Sequence, residues 1–512
     1  MIGLTILLGG LALFKFLGFQ LRSPSRRKSV GLIVLGDIGR SPRMLYHAQS
    51  FVKNGYMTYI IAFKGSKPPP SLTDNENCHF IYLSQPLPWT SSLPRIGFLL
   101  FAPLKVLLGA CFLLSALLFR IPHAPTFFFV QNPPSIPTLP IVQLAVLLRG
   151  NRLIIDWHNT GYSVLSLRLG SDHPVVKIAK KIEFMFGKKA FAHLMVTETM
   201  KNNLVKTARL EGRAIAFHDR PPRHFKRQTP SEAHELFLRL PILKPISFPS
   251  TAESTPANDD ETLFTSSDGT LKRDRPVLLL TSTSHTPDED LSILLRALVS
   301  YEAIASSQRA QQADQGIEED KQKKENEKGR LPRVVMLVTG KGSGKESFEK
   351  EIERLEDRGE LGEWVKVRTT WLELEDYPKL LGSSDLGISL HSSTSGFDLP
   401  MKVVDMFGCR LPVLALDFPS IGELVQDGVN GRTFKDENEL TRQLIEILSG
   451  FQGDTIDETA ELERLRKGIT STMYGRTALK KEGNEGSQWS DWETHWDELL
   501  LPLLDSVDPA VQ

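Results

Sequence analysis

At 512 residues the chain exceeds what one hydrophobic core serves, so two or more domains are expected and a small disulfide-stapled scaffold is excluded. Lys+Arg 61 against Asp+Glu 61 leaves a formal charge of +0, which argues against a nucleic-acid footprint, and 41% hydrophobic content is globular rather than that of a many-helix membrane bundle. Three scattered cysteines (Cys78, Cys111, Cys409) and twelve histidines without a ligand-spaced pair suggest no disulfide framework and no metal site, and fit a reducing compartment.

In chain order, Met1 to Leu21 is apolar apart from Lys15 and is followed by Arg22, Arg26, Arg27 and Lys28. That pattern predicts a transmembrane anchor over 1–21 with the bulk of the chain on the cytosolic side. Short apolar runs then alternate with helical patterns: Gly31–Leu35, Thr58–Phe63, His79–Leu83, Phe127–Gln131, Leu153–Asp156, Leu194–Thr197 and Ala214–His218. They read as parallel strands of a Rossmann-like domain over 29–222. Ser41 and Pro42 predict the cap and first residue of a helix after the first strand. Ile96 to Phe119 is apolar enough to span a membrane. Spanning would put neighbouring strands on opposite sides of a bilayer, so this stretch reads as helix lying on the bilayer surface or buried in the core.

From 223 to 275 the pattern decays into Pro, Ser, Thr and acidic residues, as in a partly disordered interdomain linker. Alternation resumes with strands Val277–Thr281, Val334–Thr339, Val365–Arg368, Leu386–Leu390 and Pro412–Leu416, predicting a second Rossmann-like domain over 276–485 and a helical tail over 486–512. Polar low-complexity sequence at 306–329 reads as a disordered insertion. Thr286-Pro287-Asp288-Glu289 resembles a capping box, with its carboxylates complementing a helix dipole.

Ligands of such sheets bind at strand carboxyl ends, so the loops there carry the chemistry. Gly340-Lys341-Gly342 breaks Walker spacing but can still offer backbone N–H groups and an ammonium to a diphosphate. Pro400-Met401-Lys402-Val403-Val404-Asp405 opens a helix that places Lys402 and Asp405 one turn apart, suited either to ribose and phosphate or to a local ion pair. Asp156-Trp157-His158-Asn159 gathers a carboxylate, an imidazole and an amide at one strand end, where His158 is a candidate general base or a structural residue. Asp37 in the first loop is the competing base.

Taken together, Val34-Leu35-Gly36-Asp37-Ile38-Gly39-Arg40-Ser41-Pro42-Arg43-Met44, Asp156-Trp157-His158-Asn159, Thr339-Gly340-Lys341-Gly342, Glu375-Asp376-Tyr377-Pro378 and Asp398-Leu399-Pro400-Met401-Lys402-Val403-Val404-Asp405-Met406-Phe407-Gly408 resemble the chitobiosyldiphosphodolichol beta-mannosyltransferases, from Leu32 to about Leu503. The resemblance implies a GT-B fold, two Rossmann-like domains facing across a cleft behind an N-terminal transmembrane helix. It implies inverting, metal-independent transfer from GDP-mannose, with no cofactor, to dolichyl-diphosphate-linked chitobiose, forming the first beta-1,4-mannose of the lipid-linked oligosaccharide for N-glycosylation. The place implied is the cytosolic face of the endoplasmic reticulum membrane, with other mannosyltransferases of the pathway as candidate partners and no nucleic acid. By the same resemblance, Asp37 or His158 is catalytic, Gly340, Lys341, Gly342, Asp398, Lys402 and Asp405 bind the nucleotide sugar, and Gly36, Gly39 and Arg43 serve the acceptor or a phosphate. Asp405 stands where the related pattern has a longer Glu.

Overall fold

The computed structural model describes residues 28–507 apart from 88, 91–94, 245, 249–259, 287–288, 315–328, 374, 394–395, 455–458 and 475–490. The predicted anchor, residues 249–259 of the predicted linker and most of the predicted insertion lie outside the described residues. The chain divides into two compact units, one of residues 1–219 with 496–512 and one of 220–495.

The first unit is built on a seven-stranded sheet in the order β3-β2-β1-β4-β5-β6-β7. Its strands are β1 (Ser29–Asp37), β2 (Met57–Phe63), β3 (Cys78–Leu83), β4 (Phe127–Asn132), β5 (Arg152–Trp157), β6 (Lys189–Met195) and β7 (Glu211–Ala216). The second carries a six-stranded sheet, β10-β9-β8-β11-β12-β13. These strands are β8 (Val277–Ser282), β9 (Val334–Thr339), β10 (Val365–Thr370), β11 (Leu386–Ser389), β12 (Val413–Leu416) and β13 (Gly431–Phe434). Every pairing in both sheets is parallel. Helices cover both faces of a parallel sheet, and for that reason its strands are unbroken apolar runs. Along β8, Val277 and Leu279 enter one buried cluster while Leu278 and Leu280 enter another on the opposite face.

All twelve predicted strands form. The sequence reading missed β13, a four-residue edge strand whose Gly431, Arg432 and Thr433 give no apolar run. The predicted 223–275 linker is corrected: its described residues belong to the second unit. Thr229 and Glu232 close a reciprocal capping box at the start of helix Pro230–Arg239. Phe225, Leu236, Phe237, Ile246, Phe248 and Phe264 from this stretch are buried in one of the unit's two clusters. Spaced among prolines and serines, these residues show no clear period. The predicted insertion is also shortened, because helix Leu291–Asp314 runs beyond its expected start at 306.

Four helices bear on the functional loops and on membrane contact: α1 (Pro42–Lys53), α2 (Arg95–Ser115), α3 (Met401–Gly408) and α4 (Trp492–Asp505), which from Trp496 onward belongs to the first unit. Ser41 precedes α1 but makes no side-chain cap; its hydroxyl turns to Gln131 instead, at 3.4 Å. Trp496 is fully buried, and its indole N–H donates to His47 Nδ1 at 3.1 Å. Asp505 pairs with Lys28 at 2.8 Å.

α2 continues through a wider π turn, Ala116–Arg120, and by length and composition Phe101–Arg120 could cross a membrane. The strands before and after it, β3 and β4, lie in the same sheet, which keeps both ends of the helix on one side of a bilayer. Leu113, Ala116 and Leu117 are buried, whereas Leu107 is 60% and Phe119 66% exposed.

Candidate functional site

Strand order reverses beside β1 in the first sheet and beside β8 in the second, and the carboxyl ends there are where open α/β sheets bind ligands. In the first unit the reversal point holds a buried charge network. Arg43, in the first turn of α1, forks onto both oxygens of Asp156 at the end of β5 (2.9 and 2.8 Å) and reaches Asp219 with its other terminal nitrogen at 2.8 Å. Burial lowers the Arg43 pKa, but the two carboxylates more than offset it and the net shift is upward. Burial alone would likewise raise Asp156; Arg43, His158 and His47 outweigh it and hold the carboxyl well below its usual range. Arg43 is therefore engaged by these two carboxylates rather than turned towards a phosphate in this structure.

His158, next but one along the chain, shares Asp156: its Nε2 lies 2.8 Å from Oδ2. In the neutral imidazole that contact makes Nε2–H the donor and leaves the lone pair on Nδ1. The side chain is 22% exposed while Asp156 is fully buried. Backbone geometry holds the loop, because His158 N–H donates to the Asn132 carbonyl at the end of β4 at 2.9 Å. His47, one turn beyond Arg43, backs the same carboxylate at 3.5 Å, and desolvation drops its pKa to about 4, so it stays neutral at pH 7.

Asp37, the other candidate base, is tied down locally. One oxygen accepts from Gly39 N–H at 3.0 Å, the other from Ser66 N–H and Oγ at 2.8 and 2.9 Å. Partial burial raises its pKa, and these donors with Arg40 reverse that into a net lowering. A Cβ at Gly39 would fall 2.6 Å from the Ser66 carbonyl, so this glycine permits the loop contact, whereas Gly36 has open space around it. Asp37, Gly39 and Ser66 thus form a loop fastening.

In the second unit three predicted residues converge on the loop after β8. Gly340 has φ +150°, and a Cβ there would fall 1.7 Å from the Thr283 carbonyl; at Gly342 it would fall 1.8 Å from that of Ser284. Only glycine allows the β9 loop this close. Lys402, in the first turn of α3, donates to the Ser282 carbonyl at 2.5 Å and to Glu289. Of the two readings of this spacing, the local Lys402–Asp405 pair is not the one made: the ammonium is turned to the β8 loop and Glu289. Glu289 is corrected too: it does not cap the helix but sits 8% exposed, bridges its backbone to His391, and accepts from Lys402 and, at 2.5 Å, from Thr283 Oγ1. Asp290 takes the capping role through Ser292 N–H at 3.0 Å.

Asp398 accepts from Ser393 Oγ and lies 3.4 Å from His391 Nε2. Asp405 is half-buried on α3, whose Val403, Val404 and Phe407 fill the core as the spacing predicts. Lys341 is exposed, its ammonium 4.0 Å above the Trp371 ring. A cavity of about 690 Å³, walled by Asp417, Phe418, Pro419 and Gln426, opens beside this loop, where Phe418 edges His391 at 6.0 Å. Among the described residues no group of His, Cys, Asp or Glu is arranged to hold a metal ion.

A family model for glycosyl transferases group 1 matches residues 320–450. The chain is 38% identical to "UDP-glycosyltransferase TURAN" of Arabidopsis thaliana, covering 94% of this chain and 98% of that protein. It is 37% identical to the chitobiosyldiphosphodolichol beta-mannosyltransferase of Mus musculus (94% and 90%) and 36% to that of Homo sapiens (93% and 92%). Among solved structures it resembles a sucrose-phosphate synthase from Thermosynechococcus elongatus, at TM-score 0.57, 12% identity and coverage of 94% and 100%. It also resembles Anabaena HepE in complex with UDP and glucose, at TM-score 0.56, 13% identity and coverage of 93% and 99%. The latter two bear on fold alone, and they agree with two Rossmann-like domains of the GT-B kind. Identity above one third along nearly the whole of both chains places this protein in the chitobiosyldiphosphodolichol beta-mannosyltransferase family.

Proposed function

We propose that the chain transfers mannose from GDP-mannose to dolichyl-diphosphate-linked chitobiose with inversion, on the cytosolic face of the endoplasmic reticulum membrane and without a metal or cofactor. The observation carrying this is the whole-length similarity to the named beta-mannosyltransferases, joined in the first unit by a histidine held by a buried carboxylate.

Inversion from an α-linked donor takes one displacement: a base removes the acceptor hydroxyl proton as the oxygen attacks the anomeric carbon and the nucleoside diphosphate departs. His158 Nδ1 is the base, and Asp156 holds its tautomer and steadies the imidazolium that forms. Departing charge falls to fixed donors in the second unit. Two of the three Lys402 ammonium hydrogens serve Ser282 and Glu289, and the third is left for a phosphate oxygen. Lys341 and the Gly340–Gly342 backbone complete the cradle, with Asp398 on the sugar side and Asp405 on the ribose.

The test is transfer by the full-length protein in vesicles from GDP-mannose, or from UDP-sugars, to a phytanyl or dolichyl diphosphate chitobiose, with chelator present. A product cleaved by β-mannosidase is expected from GDP-mannose alone. Transfer only from a UDP-sugar, the donor named for the Arabidopsis relative, would replace the donor assignment.

The apolar outer side of α2 seats the acceptor-binding unit on the bilayer. Leu107→Glu with Phe119→Glu is expected to weaken vesicle binding and transfer to lipid acceptor while GDP-mannose binding persists. Unchanged transfer on vesicles would refute that seating.

A further inference from the structure

The amino-terminal edge of the second sheet, opposite the donor loops, opens into a cavity of about 520 Å³ whose lining includes Arg273, Asp274, Arg275, Arg330, Arg333 and Trp364. Its composition follows from topology. Arg273 and Arg275 precede β8, Arg330 and Arg333 precede β9, and Trp364 precedes β10, so three adjacent parallel strands bring their entry residues to one place. β8 and β9 are six residues each, so about 20 Å of strand separates this edge from Ser282 and Gly340.

Within the cavity Arg275 is a structural residue, forked onto Asp385 at 2.7 and 3.0 Å and bonded to the Gly453 carbonyl at 2.8 Å. Arg333 stacks between Phe248 and Trp364 at 5.2 and 5.8 Å, and Arg309 reaches the same Trp364 ring at 5.9 Å. The carboxylates facing Arg333 are Asp274 and Glu363. Burial first, then repulsion from Arg309 and Arg330, outweighs them and lowers its pKa. Arg273 and Arg330 stand exposed at the rim.

We propose that this cavity is a second anion site that takes a diphosphate group, either inorganic or as part of a nucleoside diphosphate. Guanidinium forks match phosphate oxygens in pairs, and the volume suits a nucleotide-sized ligand. Gathered like charges are relieved by a dianion, which singles this edge out from an ordinary solvated face. The proposal does not depend on the transfer reaction above.

Calorimetric titration of inorganic diphosphate, and separately of GDP, into full-length protein saturated with GDP-mannose tests it, with hydrogen exchange followed over 273–278, 330–336 and 451–454. Saturable binding with protection of those segments is expected. Arg273→Glu with Arg330→Glu, both at the exposed rim, should weaken it at least ~10-fold while GDP-mannose binding is unchanged. Binding of both ligands, or of GDP alone, supports the site and defines how much of the ligand it reads. No protection by either ligand, or equal affinity in the double variant, overturns it. Failure of GDP-mannose to bind counts only against the donor assignment, and the titration is then read without it.

Discussion

Alanine at position 158 is expected to lower mannosyl transfer by ~100-fold or more while leaving GDP binding in place, the magnitude general base catalysis supplies. The expectation rests on the 2.8 Å contact that fixes Nε2 on Asp156 and leaves Nδ1 to accept a proton. Asp37→Asn is the control, because the lowered pKa and three donors on Asp37 make it a weak base and a strong loop tie. It should affect stability more than the transfer rate. Retention of more than a tenth of the rate by His158→Ala, measured on the lipid acceptor, would remove the histidine from the mechanism.

Arg43→Met is expected to cost about 3–5 kcal/mol of stability, because it strands two buried carboxylates that share one cation. Asp156 is fully buried and the Asp219 side chain 9% exposed, so neither can turn to water for solvation. Urea unfolding followed through first-unit tryptophan signals would report the loss. Adding Asp219→Asn to Arg43→Met should recover part of it, since one stranded charge is then gone. The rival role, a phosphate ligand for the acceptor, makes the opposite forecast: a raised KM for the lipid with an unchanged unfolding midpoint. Finding that pattern would return Arg43 to the binding site.

Strands were legible in the sequence because parallel sheets demand unbroken apolar runs, and Phe127-Phe128-Phe129-Val130 or Val277-Leu278-Leu279-Leu280 admit few other readings. The glycines of the β9 loop were legible for a similar reason: nothing else fits where two backbones nearly touch. Side-chain partners were not. Arg43 meets an aspartate 113 residues away and Lys402 a glutamate 113 residues away, and no local spacing encodes such meetings. Lys402 and Glu289 each also had a plausible local partner, Asp405 and the helix dipole, and the local rules offered those first. His47 carried a faint signal, one helical turn beyond Arg43 on the same face.

The return of α4 to the first unit bears on the order in which the newly made chain can fold. Trp496, Leu500, Leu503 and Leu504 are buried, and the Trp496 ring meets Phe51 edge-on at 5.2 Å. Until the ribosome has made residues 220–495 and then this last helix, Phe51 and His47 stay uncovered; at about 5–20 residues per second that wait is roughly 15–55 s. The usual sequence, amino-terminal domain first, is thereby inverted. The second unit can close by itself, while the first remains a client for chaperones until translation is nearly over, and a message truncated before codon 496 yields a protein whose lesion lies at its beginning.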